Sequence, residues 1–195
     1  GWDRWTRNHP APRGIYFAMD KLDGSSLYLE YDRGYPTYLS TRGNGEIGGD
    51  ISFLIPKLDL PRNIKDKSKF ELRCEAVVPR KVFAKKWAQK FDNARQMANG
   101  LLNRTLDKAV DAALEDLDVV VVGRMGHPID KSLDYLADLG FKVVNHARAE
   151  CKTAQDMIDL LAFSKKASPY EIDGLVIVAP GAKMVYEDSD KPSWA

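Results

Sequence analysis

Cysteine is scarce: Cys74 and Cys151 are the only two in 195 residues. They form no C-x-x-C pair and no cluster with histidine, which argues against a zinc site or a disulfide framework. That usage fits a reduced, cytoplasmic compartment. No apolar run approaches the ~20 residues needed to span a bilayer. The opening "GWDRWTRNHPAPRG" lacks the apolar core of a signal peptide. An excess of one charge is missing too, since 29 basic and 28 acidic residues leave a net charge of +1. No global field draws nucleic acid to the chain, which leaves only a local basic face for that purpose. Internal repeats and low-complexity segments are absent.

What is present is enough apolar residue, 44% of the chain, for one sizeable core with room for a division into lobes. Residues 1–14, with Pro10, Pro12 and Gly14, read as a lead-in or linker before a globular unit over 15–195. From Ile15 the pattern is β: "GIYFAM", then "SSLYLEY", a turn at Asp32-Arg33-Gly34, and "PTYLSTRG". Leu27, Leu29 and Tyr31 alternate with Tyr28 and Glu30, the period of a half-buried strand. "GNGEIGGD" is a glycine-rich loop, followed by the short apolar stretch "ISFLIPKL". "FELRCEAVVP" reads as a strand closed by Pro79, which opens the helix "KVFAKKWAQKF".

Residues 93–117 are helix-compatible with an interruption near Gly100, and "LDVVVVG" is a buried strand by its β-branched run. "KSLDYLADLG" predicts a helix stopped by Gly140, and "FKVVNHARA" a strand. "TAQDMIDLLAFSKK" predicts a helix with a capping box of Thr153 and Asp156, and "YEIDGLVIVAP" a final strand. Hairpins first and helix–strand alternation later predict an α+β fold.

One short stretch carries chemistry. In "AMDKLDGSS" a lysine, Lys21, precedes Asp23 and Gly24 at the edge of an apolar strand. A lysine is a nucleophile only when neutral, and burial or neighbouring cations are what make it so. The strand offers burial; Gly24 allows a close backbone approach or an unusual φ; Asp23 can hold a metal or orient the amine. A lone K-x-D-G is read more readily as a surface lysine beside a turn aspartate.

Four further stretches follow in order: "STRGNGEIGGDIS", "LRCEAVVP", "FDNARQMANGLL" and "EIDGLVIV". With "DKLDG" they resemble the nucleotidyltransferase motifs of NAD-dependent DNA ligases, from about Ile15 to the C-terminus. The ending "DSDKPSWA" resembles the lead-in to that family's last motif. The resemblance implies the DNA ligase/mRNA-capping-type nucleotidyltransferase fold, antiparallel sheets flanked by helices. It implies that Lys21 attacks the α-phosphate of NAD, expels nicotinamide mononucleotide and becomes lysyl-AMP, which passes AMP to the 5′-phosphate of nicked DNA.

It also implies roles residue by residue. Arg42 reaches the phosphate or helps keep the lysine neutral, Glu75 hydrogen-bonds the ribose hydroxyls, and Arg95 helps bind nucleotide and nick. Asp20 joins these in the nucleotide-binding set. Asp23, Glu75 and Asp173 are the acids implied around Mg2+.

The sequence departs from the family pattern inside this site. Met19 stands where the family has a glutamate near the adenine amino group, Asn44 replaces an acid, and Val122 replaces a tyrosine that stacks on adenine. Val178 replaces a phosphate-contacting lysine, with Lys183 further along the chain. Asn103 meets a family arginine, with Arg104 one position late. The lysine-rich "RKVFAKKWAQK" reads either as a DNA-phosphate face or as a solvated helix with Val82, Phe83 and Trp87 turned inward.

The family's N-terminal nicotinamide-recognition domain and its C-terminal domains have no room here. The expectation is therefore an adenylation domain that works with those domains or with a second ligase subunit. An ATP-using nucleotidyltransferase and a catalytically weak nucleotide- or DNA-binding subunit are the alternatives.

Overall fold

The computed structural model describes residues 2–41, 48–104 and 106–185. Strand alternation builds the larger of two antiparallel sheets. Leu27, Leu29 and Tyr31 on β2 (Ser25–Asp32) are at most 1% exposed. β2 pairs on one side with β3 (Tyr35–Thr41) and on the other with β4 (Phe70–Val77), which in turn pairs with β5 (Asp118–Arg124). Arg33 and Gly34 join β2 to β3 with φ of 51° and 87°, the positive pair that lets a two-residue loop follow the strand twist.

The second sheet has three strands, with β1 (Ile15–Leu22) at its centre between β6 (His146–Glu150) and β7 (Ile172–Val178). Every strand pairing in both sheets is antiparallel, and helices flank them, so the α+β expectation holds.

Helix α3 (Ala94–Leu102) buries Met97, Ala98, Leu101 and Leu102, and α4 (Lys108–Leu114) buries Val110, Ala113 and Leu114. Helix α5 (Ile129–Asp138) adds Ile129, Leu133 and Leu136 to the same core, and Gly140 stands just beyond it at φ 94°. Helix α6 (Ala154–Ala167) opens on the capping box of Thr153 and Asp156 but has no buried residue. No helix among the described residues is long and apolar enough to cross a membrane.

Several local expectations shift. Within the stretch read as a lead-in, Trp2–Asn8 form a helix, α1, whose Trp2 and Trp5 rings stack at 5.4 Å and pack on Tyr16. Pro10 and Pro12 signalled a linker, whereas tertiary aromatic contact holds the turn before them. Gly100 does not interrupt α3. The helix ends beyond it, where Asn103 caps with its Nδ2 donating to Asn99 O at 2.8 Å. The basic segment is regular helix only over Arg80–Val82 (α2) and continues as a π-helical turn over Phe83–Trp87. The apolar stretch near Ser52–Lys57 is a 3₁₀ turn. Val143 makes only an isolated bridge to Val121, so β6 starts later than its apolar run implied.

Candidate active site

β1 carries Lys21 to the junction of the two sheets, where the chain turns at Asp23-Gly24 into β2. The turn is anchored by Asp23 N donating to Glu171 O at 3.0 Å. Gly24 is required by a close approach. A Cβ there would lie 2.6 Å from Val77 Cγ1, 3.0 Å from Glu75 Cγ, and closer still to the carbonyl oxygen of Ala76. The glycine of K-x-D-G thus lets β1 and β4 meet, and sets Asp23 beside Glu75.

Lys21 pairs with Gly174 and Leu22 with Ile172, so Asp173 is the extra residue of a β-bulge. A bulge re-aims a side chain that regular alternation would send elsewhere. Here Lys21 Nζ donates to both carboxylate oxygens of Asp173, at 2.9 and 2.7 Å. The expectation that the strand would bury the lysine fails, because its side chain is 56% exposed and that of Asp173 is 42% exposed. Lys21 is the last outward-facing residue of β1, beyond the reach of the core.

Arg95, in the first turn of α3, donates from Nη1 to Asp23 Oδ1 at 3.0 Å. A cation is unfavourable at a helix N-terminus, and Asp23 offsets it. Asn93 caps that helix by accepting from Gln96 N. Exposed pairs of this kind are worth about 0–1 kcal/mol. Both can therefore be exchanged for substrate contacts at little cost.

Glu75 stands on β4 opposite Val120 and Ser26. Burial pushes its carboxyl up to about 7, against the lowering pull of Arg73 and Arg95, and Asp23 adds to the rise. It is a carboxyl poised between proton donor and acceptor at neutral pH.

Other predicted residues fall elsewhere. Arg42 and Asn44 lie outside the described residues, as does the "DSDKPSWA" ending. Asp20 alternates with Lys21 and is buried among Asn145 and the residues of α6, accepting from Asn145 Nδ2 at 3.1 Å. It is not brought into the Lys21 cluster. Asp23, Glu75 and Asp173 form no single three-carboxylate cluster, and no such metal-ligating group occurs among the described residues. Lys183 pairs with Pro128 and lies near His127 at the end of β5. Arg104 sits 5.8 Å over the Phe91 ring.

The basic segment is mixed: Val82, Phe83 and Trp87 pack on the core, and Lys86 pairs with Asp116 at 2.8 Å. Lys81, Lys85 and Lys90 are exposed. Met19 and Val178 are buried at 3% and 0%, and Val122 packs against the same core. Met19 pairs with Val176, and Val178 with Phe17. Met19 and Val178 thus lie in the interior, and Val122 is partly buried against it.

The fold is that of DNA ligase nucleotidyltransferase domains. The structure of a Lig E DNA ligase superimposes with a TM-score of 0.53 at 16% identity, over 91% of this chain and 60% of that one. At that identity the likeness speaks for the fold alone. The sequence is more specific. The family model of the NAD-dependent DNA ligase adenylation domain matches residues 2–188, and the chain belongs to that family. The DNA ligase of Anoxybacillus flavithermus is 34% identical over 202 residues, covering 92% of this chain and 29% of its own length. The DNA ligase of Bacillus subtilis is 32% identical, covering 100% of this chain and 32% of its own. The chain thus spans about a third of the length of the curated relatives it matches.

Proposed function

We propose that the chain carries out the adenylation step of a DNA ligase, with Lys21 as the nucleophile and NAD as the substrate. The observation that carries this reading is the bulge that turns Asp173 onto Lys21 Nζ, with Asp23, Arg95 and Glu75 gathered around the adjoining turn. Attack requires Nζ to lose a proton and Asp173 to release it. The new bond joins Nζ to the α-phosphorus; the bond that breaks joins that phosphorus to the oxygen of the nicotinamide mononucleotide half. Glu75 is the group to hold the ribose hydroxyls, and Arg95 frees a guanidinium for phosphate when Asp23 turns away. Arg42 belongs to the same proposal.

Magnesium is commonly held by one or two carboxylates together with substrate phosphates. Asp23 and Asp173, both partly exposed and paired only to cations, suit that mode, with Glu75 behind them. When bound, the ion neutralises charge on the phosphate oxygens.

In the larger protein AMP would pass to the 5′-phosphate of a DNA nick, with the exposed lysines of the basic segment as phosphate contacts. The nicotinamide-recognising and further DNA-binding parts would come from other domains or a second subunit, in the cytoplasm. A second reading, a weak nucleotide-binding subunit, is favoured by the core positions of Met19 and Val178 and by the packing of Val122 against that core. Those apolar side chains remove an adenine-facing acid, a stacking ring and a phosphate-facing cation.

The test is intact-mass analysis of the chain incubated with magnesium and either NAD or ATP, together with a nicotinamide-recognition domain, beside Lys21→Ala. The expected result is an AMP adduct that requires NAD and Lys21, with labelling reduced at least 1,000-fold, roughly the scale of losing a nucleophile. Labelling by ATP alone moves the protein to an ATP-using class. No adduct in either case leaves the binding-subunit reading.

A further inference from the structure

The three-stranded sheet has a second face, and it bears a buried carboxyl group outside the adenylation cluster. β1 alternates, so Lys21, Met19 and Phe17 share one side, while Asp20, Ala18 and Tyr16 share the other. On that second side α6 lies across the sheet without closing on it. The gap is a cavity of about 320 Å³ lined by Ala18, Ala147, Leu175, Leu160, Phe163 and Asp20. Its mouth is marked by the Phe163 ring, 69% exposed, and its floor by Asp20, 3% exposed.

Asp20 accepts a hydrogen bond from Asn145 Nδ2 at 3.1 Å, and its own backbone N–H is bonded to Asn145 O at 3.0 Å. Among the described residues Asp20 enters no ion pair. A carboxylate taken out of water is costly unless it meets a cation or several donors. An amide is a weak substitute for a cation. The walls around it are otherwise aliphatic and aromatic, apart from Ser164 and His146, and His146 is itself engaged by Val144 O and Asp134.

The geometry points to a ligand site between α6 and the outer face of the sheet, for a small organic cation: an ammonium or amidinium group on a flat apolar body. The charged nitrogen meets Asp20 beside Asn145, and the apolar body fills the space between Leu160, Leu175 and Phe163. Small residues make that space, since Ala18, Ala147 and Ala167 leave room where larger side chains would seal the helix onto the sheet. Asp20 is joined by one peptide bond to Lys21, so occupancy bears on the strand end that presents the nucleophile. The site is separate from the proposed adenylation chemistry and does not depend on it.

Benzamidine is the probe, with benzyl alcohol as the uncharged comparison, titrated into the isotope-labelled full chain and followed by amide NMR. The expected result is a saturable set of shifts at Asp20, Asn145, Ala147, Phe163 and Leu175, with benzyl alcohol at least ten-fold weaker. Asp20→Asn should weaken benzamidine at least ten-fold and leave benzyl alcohol unchanged. Ser164→Phe, on the partly exposed surface of α6, should block both ligands by filling the gap while the chain stays folded. It serves as the test if Asp20→Asn does not fold. Equal affinity for the two probes, binding unaffected by Asp20→Asn or Ser164→Phe, shifts confined to residues around Lys21 and Asp173, or no saturable shift would each overturn the assignment.

Discussion

The two sheets are built to different standards. In the four-stranded sheet Leu29, Leu39, Leu72, Cys74 and Val120 are all 0% exposed, with α3 and α4 sealing one side. The three-stranded sheet is covered by α6, which has no buried residue and leaves a cavity beneath it. The candidate site straddles the two. Glu75 stands on the tightly packed sheet, and Lys21 and Asp173 stand on the looser one. The difference teaches where rigidity is needed. A carboxyl proposed to hold ribose gains from a fixed platform, while a lysine proposed to leave its ion pair and attack gains from a strand end that can adjust.

The comparison is broken most directly by a large truncation in the well-packed sheet. Leu72→Ala removes a wholly buried side chain between β2 and β5. It should cost about 2–5 kcal/mol, the range for leaving a cavity in a close-packed core, read by urea unfolding. A value under about 1 kcal/mol would mean that this sheet collapses as freely as the other. Next comes the seam between the sheets. Gly24→Ala pushes a methyl against Val77 and the Ala76 carbonyl, and should cost about 3 kcal/mol by overpacking against backbone that cannot yield. It should also reduce AMP labelling, because the same shift separates Asp23 from Glu75.

Much of this seam was legible in the sequence. K-x-D-G and E-I-D-G singled out Lys21 and Asp173, which the structure brings together, by residue type and order. The alternation of Leu27, Leu29 and Tyr31 gave the face of β2, and Thr153 with Asp156 marked the start of α6 as a capping box. What stayed hidden are properties that exist only once elements meet. Lys21 looked destined for burial because its strand is apolar, yet it falls at the strand end. Asp20 stood with Lys21 in the implied nucleotide-binding set, yet strand alternation places them on opposite faces. Asp173 reaches Lys21 only through a one-residue bulge, and no local pattern signals that register shift. The helix at Trp2–Asn8 rests on the packing of two tryptophans against Tyr16, a contact across the chain that prolines nearby concealed.

A pH series sharpens the same contrast at Glu75. Its carboxyl is raised from 4.5 to about 7 in the fold, chiefly by burial. Folding therefore favours the protonated form. The stability this contributes is full below pH 4.5, declines as pH rises through 7, and is absent above. Glu75→Gln, which carries no such charge, should gain on the native chain across that window by roughly 2 kcal/mol, discounted for partial exposure. The measurement is the Tm difference between the two proteins at pH 5 and pH 8. A difference that stays constant would mean that Arg73 and Arg95 hold the carboxylate ionised throughout.

The smallest effect belongs to the looser sheet. Phe163 is a large aromatic on α6, and by size alone its removal from a core would cost about 3–5 kcal/mol. Its ring, however, is 69% exposed and borders a cavity on its inner side, so truncation uncovers little surface and creates no new sealed void. Phe163→Ala should change stability by no more than about 0.5 kcal/mol, the usual limit for surface positions. Measured in the same urea series as Leu72→Ala, the two substitutions weigh one sheet against the other. A loss at Phe163 comparable with that at Leu72 would show α6 to be a sealed part of the core. Retention of stability means that the strand bearing Lys21 is held by its pairing with β6 and β7 rather than by the helix above it.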